Sequence, residues 1–177
     1  LAFKQLMPLF GMNSRAASGI EMPLMQFWNP IAINNVEAQK EFYSRQNLTL
    51  LQQLKRDAAE PEKLLRLLEV YNQSLGYSIV RRAEEAKIAL SASPEYRAAI
   101  RLLSETLETD ISAAEMEESI SSPKDKMISL VNDAVQQGGA TPDAIFITGG
   151  SGRSPVLCRA IEAQLPGIPV VRGNDFG

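Results

Sequence analysis

One stretch decides how the C-terminal part of this chain folds: Ala144-Ile145-Phe146-Ile147-Thr148-Gly149-Gly150-Ser151-Gly152-Arg153-Ser154-Pro155. The continuous β-prone run at its start predicts a strand that is covered on both faces. The glycines after it predict a turn, and Ser154-Pro155 has the cap and first-turn residues of a helix. A further strand is expected at 168–171. The order of strand, turn, helix and strand indicates α/β topology.

Upstream of this stretch the sequence predicts helices and one small sheet. Apolar residues recur at steps of three and four over 36–57, and again over 61–91, where one long helix is expected. Apolar and polar residues alternate over 96–103 and 106–112, which predicts two short antiparallel strands. The class is therefore α/β, or α+β for the chain as a whole.

Two more helices are expected between the small sheet and the glycine turn. Ser112 and Glu115 have the spacing of a capping box, which would open the first. Ser122-Pro123 is expected to open the second, and Gly138-Gly139 to end it. The buried stripe of that second helix is predicted to consist of Met127, Leu130, Val131, Ala134 and Val135.

The segment 11–35 is predicted to be a loop because glycine and proline punctuate it. It contains the apolar residues Met22, Leu24, Met25, Phe27 and Trp28. These residues either pack on the helices of the same chain or form a surface for a partner, and the sequence leaves both interpretations open.

The composition narrows the classes of function. A net charge of −3 and a pI near 5.1 indicate no nucleic-acid or anionic-membrane surface. The chain has no histidine, which excludes Ser-His-Asp, Cys-His and the usual zinc sites. The single cysteine, Cys158, cannot form an internal disulfide. No apolar run approaches the roughly 20 residues of a membrane span, no signal peptide is seen, and a cytoplasmic location is expected.

The glycine turn is the strongest local signal for a binding site. Glycines at the end of a strand allow a ligand to approach the backbone closely, and the next helix offers free amides. Ser151 can bond a ring nitrogen, and Arg153 can stack on a base or pair with a phosphate. A tight connection without a ligand is the alternative. A nucleophile elbow, a Rossmann glycine pattern and a P-loop are each excluded by the residues present.

A second group of candidate residues is Glu84, Lys87 and Ser91. Their spacing of i, i+3 and i+7 would place them on one face of the predicted long helix. A carboxylate, an ammonium and a hydroxyl in one row could bind a ribose and an adenine edge. An ordinary solvated face with a weak Glu84–Lys87 ion pair is the alternative.

In this order and spacing, the two groups resemble the DnaK-type heat shock protein 70 chaperones of the actin-like ATPase superfamily, whose domains have ribonuclease-H-like folds. Gly149–Pro155 matches the family pattern G-G-S-x-R-x-P. Another family pattern, E-x-A-K-R-x-L-S, is matched by the set Glu84, Ala86, Lys87, Leu90 and Ser91. The segments 1–9, 59–63, 165–169 and 175–177 are similar to the YegD-like branch of that family.

The resemblance implies roles for individual residues. Residues 1–112 would form a helical outer subdomain with a small sheet, and residues 113–177 part of an inner α/β subdomain. The ligand would be ATP or ADP, held through its adenosine. The outer part would contact it through Glu84, Lys87 and Ser91, and the inner part through Gly149, Gly150, Ser151 and Arg153. Asp175 would lie near the purine. The family has an arginine that stacks on adenine where this chain has Ile88.

The resemblance also implies what this chain lacks. The family holds phosphates and Mg²⁺ in two hairpins rich in Asp, Gly and Thr, which are not found in these 177 residues. The chain is therefore expected to be a piece of a longer ATPase, with no catalytic residue of its own and with a co-chaperone or client protein as partner. Two alternatives stay open: a degenerate actin-like fold that serves as a protein-binding module, and an unrelated small α/β enzyme.

Overall fold

A computed structural model describes residues 1–149 and 154–172. The chain is of mixed α/β class and mainly helical. It divides into two compact units, Leu1–Met116 and Glu117–Gly177. Each unit is described below by itself.

The first unit consists of short helices followed by an antiparallel pair of strands. Its elements are a π-helical turn Ala2–Leu6, a 3₁₀ turn Met7–Phe10, α1 Met25–Trp28, a 3₁₀ turn Asn29–Ile31, α2 Val36–Phe42, α3 Arg45–Asp57, α4 Pro61–Gln73, α5 Gly76–Ala89, β1 Glu95–Arg101, β2 Thr106–Ser112 and α6 Ala113–Ser119, which reaches past the unit boundary. Helices α3 and α4 pack on each other, and α5 packs on β1.

The core of the first unit is made of aromatic and aliphatic side chains from nearly all of these elements. Burial of each such side chain contributes on the order of 1.5–3 kcal/mol before entropy is counted. The largest fully buried members are Leu6, Met7, Phe10, Phe27, Phe42, Leu51, Leu64, Leu67, Val70, Ile79, Ile100 and Ile111. Around this core the polar faces of α3, α4 and α5 remain in contact with solvent.

The two long helical patterns are each interrupted. The pattern over 36–57 breaks at Tyr43 and Ser44, where the Ser44 side chain accepts a bond from the Asn47 N–H and caps α3. The single helix predicted over 61–91 is wrong, because Ser74 adopts a left-handed conformation (φ 54°) and ends α4. The apolar spacing continues through this break, so periodicity alone did not reveal it.

The predicted strands and capping box are confirmed. β1 and β2 pair antiparallel from Glu95↔Ser112 to Arg101↔Thr106. The Glu115 carboxylate accepts from the Ser112 N–H at 2.8 Å and from its hydroxyl at 2.7 Å, while Ser112 Oγ accepts from the Glu115 N–H at 3.2 Å.

The segment 11–35 divides its apolar residues between core and surface. Met22 and Phe27 are buried, as expected if the segment packs on its own unit. Leu24, Met25 and Trp28 are about half exposed. The segment is also not wholly a loop, because α1 forms one helical turn within it.

The second unit contains α7 Ser121–Gly138, β3 Ile145–Ile147, α8 Pro155–Gln164 and β4 Val170–Arg172. The two strands pair in parallel, from Ile145↔Val170 to Ile147↔Arg172, which confirms the predicted α/β order. Cys158 and Ile161 are buried, and they are the buried ones among the described side chains of α8. Helices α7 and α8 pack on each other, and α8 packs on β4.

Three predictions for the second unit are wrong in detail. Helix α7 begins at Ser121 rather than at a Ser122 cap. Its apolar stripe is not buried among the described residues: Leu130 and Ala134 are exposed, and Met127, Val131 and Val135 are only half-buried. β3 is not covered on both faces either, since Phe146 is 71% exposed. The described elements are too few to cover these surfaces.

Candidate functional site

Helix α5 presents the predicted site residues Glu84 and Lys87 to solvent. Ile79, Ala83 and Ala86 are buried at steps of four and three, so one face of the helix faces the core. Glu84, Lys87 and Ile88 lie outside that buried stripe and are exposed. The helix therefore positions an acid, a cation and an aliphatic side chain together near its C-terminal end.

Glu84 and Lys87 are brought together as predicted. Lys87 Nζ lies 2.6 Å from Glu84 Oε1, and the side chains are 49% and 56% exposed respectively. An exposed i, i+3 ion pair of this kind is worth only a few tenths of a kcal/mol. Both groups can therefore exchange this contact for a ligand at little cost.

The neighbouring Glu85 is engaged in a different way. Its carboxylate accepts from Arg82 Nη1 at 2.5 Å and from Arg81 Nε at 3.2 Å. The hydrogen bond from Arg82 is the largest influence that holds the Glu85 pKa below its ordinary value. Glu84 pairs only with Lys87 among the described residues, so of the two adjacent acids it is the one suited to meet a ligand.

Ser91 does not lie on the helix, which corrects the predicted i, i+7 row. α5 ends at Ala89, and the exposed Ser91 hydroxyl donates to the Ile88 carbonyl oxygen at 2.6 Å. This bond satisfies one of the orphan carbonyls at the helix end. With its proton used in this way, Ser91 Oγ can still accept a hydrogen bond from a ligand.

Of the predicted ligands in the glycine turn, the structure describes only Gly149, together with the flanking elements. Gly149 follows β3 with φ 80°, a left-handed conformation that favours glycine. Ser154 caps α8 without a side-chain hydrogen bond, and Pro155 occupies its first turn. The remaining predicted ligands, Gly150, Ser151, Arg153 and Asp175, lie outside the described residues.

The first unit also contains a groove that sequence reasoning missed. It has a volume of about 950 Å³ and is lined by α3, by α4 and by the turn that joins β1 to β2. Its lining includes Lys55 and Arg56 from α3, Leu65 from α4 and Leu103 from the turn. The sequence gives little indication of this groove, because the polar face of each helix has the pattern of an ordinary solvent-exposed face. The groove forms only when the helices and the turn pack together.

The β1–β2 turn is held to α4 by two sets of hydrogen bonds. Arg66 donates through Nε and Nη2 to the Glu105 carboxylate at 2.8 and 3.1 Å, and through Nη1 to the Leu9 carbonyl at 3.1 Å. Glu69 accepts from the Leu103 N–H and, at 2.8 Å, from the Ser104 hydroxyl. Charge-assisted and bidentate hydrogen bonds of this kind hold the β1–β2 turn in a defined position against α4.

No family model matches the chain. Among residues 1–149 and 154–172, no helix combines the length and apolarity needed to cross a bilayer.

Proposed function

We propose that this chain provides the adenosine-binding half of an ATP site in a chaperone-like ATPase of the actin-like superfamily. The observation that carries the proposal is the exposed Glu84–Lys87 pair near the end of α5, followed by Leu90 and Ser91 in the order of the family motif. ATP hydrolysis would then require a longer protein that contains this chain, and its phosphate and Mg²⁺ ligands would lie outside these 177 residues.

The chemistry of each group suits a nucleoside. Lys87 can donate to a ribose hydroxyl oxygen, and Glu84 can accept from a ribose hydroxyl once their mutual ion pair is exchanged. Ser91 Oγ can accept from the amino group of adenine, because its own proton is donated to the Ile88 carbonyl. The Ile88 side chain, 62% exposed, offers an aliphatic surface to a base.

The other half of the proposed site rests on the sequence motif. Gly149, Gly150, Ser151 and Arg153 would contact the nucleoside from the glycine turn, and Asp175 would lie near the purine. The left-handed Gly149 after β3 supports a tight turn at that point. The proposed ligand is ATP or ADP, the proposed setting is the cytoplasm, and the proposed protein partner is a co-chaperone or client.

Calorimetric titration tests this function. ADP and ATP with Mg²⁺ are titrated into the longest form of the protein that contains this chain, and into its Lys87→Ala, Arg153→Ala variant. Micromolar or tighter binding that the double variant loses supports the site. Lys40→Ala, Arg45→Ala removes two exposed cations elsewhere on the first unit and should bind normally. An intact protein that binds neither nucleotide refutes the proposal.

A second candidate function is a protein-binding module with a degenerate site. Ile88 in place of the stacking arginine favours it, as do the half-exposed Leu24, Met25 and Trp28. The same titration separates the two functions, because a degenerate module would bind no nucleotide.

A further inference from the structure

The outer side of strand β2 presents backbone groups that point away from β1. The Leu102 N–H donates to the Glu105 carbonyl oxygen at 2.8 Å, and the Ala113 N–H donates to that of Pro94 at 2.9 Å. Hydrogen-bonded and non-hydrogen-bonded pairs alternate in an antiparallel ladder, so these two bonds fix the phase of the pairing between them. The residues of β2 whose N–H and C=O groups consequently point outward are Thr106, Glu108 and Asp110.

This outer edge of β2 is open in the described part of the chain. Helix α5 packs on β1, whereas β2 packs closely on no described helix or strand other than β1. The outward N–H and C=O groups of Thr106, Glu108 and Asp110 form no hydrogen bond with another described residue. The Ser112 N–H also points outward, but it is bonded to the Glu115 carboxylate and marks the end of the open edge.

Strand β2 lacks several features by which natural edge strands prevent pairing with another chain. Its sequence, Thr106-Leu107-Glu108-Thr109-Asp110-Ile111-Ser112, contains no proline and no lysine. Its register with β1 continues without a bulge over all 7 residues. An edge that is already regular loses little conformational entropy when a further strand pairs with it.

The side chains along this edge favour a basic partner. Glu108 and Asp110 are exposed, and β2 contains no basic residue. Arg97 binds the Asp110 carboxylate at 2.8 and 3.0 Å but lies 3.8 Å from that of Glu108. The residue directly opposite Glu108 on β1 is Ala99. A cation on the open side of Glu108 would therefore supply the cross-strand partner that β1 does not provide.

The same acids disfavour a second copy of the chain as the occupant. Two β2 edges that paired with each other would bring Glu108 and Asp110 of one copy beside those of the other. Like charges on neighbouring strands are destabilising.

We propose that β2 binds an extended segment of another protein by strand addition, with a lysine or arginine of that segment beside Glu108. The proposal does not depend on the nucleotide site. An extended chain offers donors and acceptors at a two-residue repeat of about 6.8 Å, which is the repeat at which Thr106, Glu108 and Asp110 present theirs. Backbone hydrogen bonds would supply affinity, and the cation would supply selectivity.

Amide hydrogen exchange followed by NMR tests where the segment binds. The probe is a peptide of the length of β2 in which lysine and valine alternate, added to the 177-residue chain. Without peptide, the outward amides of Glu108 and Asp110 should exchange faster than the inward amide of Thr109. Saturating peptide should slow the exchange of Glu108 and Asp110 at least about tenfold. Unchanged exchange at these two amides would overturn the proposal, whether the peptide binds elsewhere or not at all.

Two matched peptides test how the segment binds, with fluorescence anisotropy as the measurement. A peptide with glutamate in place of every lysine should bind about tenfold more weakly than the lysine peptide. A lysine peptide with every backbone nitrogen methylated keeps its charge but cannot donate to β2, and it should lose binding. Equal binding of the lysine and glutamate peptides, or full binding of the methylated peptide, would contradict strand addition beside Glu108.

Variants of the chain assign the charge preference to Glu108. Glu108→Lys should weaken binding of the lysine peptide about tenfold. Glu41→Lys makes the same charge change at an exposed helical position elsewhere in the first unit and should leave binding unchanged. An unchanged urea unfolding curve of Trp28 shows that each variant folds. Equal effects of the two variants, or self-association of the chain through β2 in place of peptide binding, would each overturn the proposal.

Discussion

A β-carbon at position 76 would lie 2.0 Å from the carbonyl oxygen of Pro30. Helix α5 begins at Gly76 against the 3₁₀ turn that contains Pro30, and only a hydrogen atom fits between them. The Pro30 carbonyl also accepts from Gln39 Nε2 at 3.2 Å. Burial raises the Tyr43 pKa, and the backbone of the adjacent Gly76 partly offsets this rise. The start of α5 is thus fixed by backbone contact.

Gly76→Ala should lower the free energy of unfolding of the first unit by about 3 kcal/mol, because the obstructing atom belongs to backbone that cannot easily move. Urea unfolding followed by Trp28, the only tryptophan, measures the change. Gly138→Ala is the matched control: no described atom lies within 4 Å of its β-carbon, so a neutral effect or a gain of about 0.5 kcal/mol is expected. An unchanged midpoint for Gly76→Ala would show that the 3₁₀ turn can move away.

The capping box should make stability depend on pH. Hydrogen bonds from the Ser112 hydroxyl, and then from its N–H, lower the pKa of Glu115 below its ordinary value of 4.5. The folded state therefore favours the charged form. The charged Glu115 therefore contributes to the free energy of unfolding. This contribution is complete at pH values above the ordinary pKa and is lost as the pH falls through the lower pKa of the folded state.

The difference in urea midpoint between wild type and Glu115→Gln should accordingly be present at neutral pH and shrink as the pH falls below 4.5. Ser112→Ala should lower stability by about 1 kcal/mol at neutral pH. Glu41→Gln, which removes an exposed helical charge elsewhere, controls for the loss of one negative charge. A Glu115→Gln difference that stays constant with pH would argue against the charge-dependent cap.

Glu69 should decide how firmly the β1–β2 turn is held. Glu69→Ala removes both acceptors for Leu103 N–H and Ser104 Oγ, and a loss of about 1–2 kcal/mol is expected. Trypsin should then cut faster after Arg101, the exposed last residue of β1; mass spectrometry of the fragments measures this rate. Glu62→Ala, on the same helix but without a bond to the turn, should leave the cleavage rate unchanged. Equal rates in both variants would mean that Arg66–Glu105 alone holds the turn.

Ile88→Arg should strengthen nucleotide binding if the proposed adenosine site is correct. Ile88 is 62% exposed, so the substitution should cost little stability. A guanidinium stacked on adenine contributes roughly 1 kcal/mol, which corresponds to about fivefold tighter ADP binding. Ile88→Lys controls for charge without a planar group and should give a smaller gain. Calorimetry on the longest form of the protein that contains this chain provides the measurement, and no gain from arginine would mean that a base does not lie over position 88.

Local patterns predicted the features that depend on local contacts. The alternation over β1 and β2, the capping box of Ser112 and Glu115, and the Glu84–Lys87 pair each involve strands or neighbours within one helical turn. These interactions follow from the periods of strand and helix, whichever elements pack around them.

Features that depend on packing could not be predicted in this way. The break between α4 and α5 lies at Ser74 (φ 54°), and α5 then begins where Gly76 meets Pro30, a contact between residues far apart in sequence. The groove beside Lys55 and Leu103 exists only because α3 and the β1–β2 turn both contact α4. The position of Ser91 was missed for a related reason: helix α5 ends at Ala89, two residues before the predicted end.

The incomplete burial of α7 has a consequence for the order in which parts of the second unit open. Its 18 residues include no buried side chain among the described parts of the chain, while α8 is anchored by Cys158 and Ile161. Local opening requires least free energy where few apolar contacts are lost. In native-state hydrogen exchange, the amides of α7 should therefore exchange through a partial opening well before those around Cys158, which makes α7 the first cooperative segment of this unit to unfold.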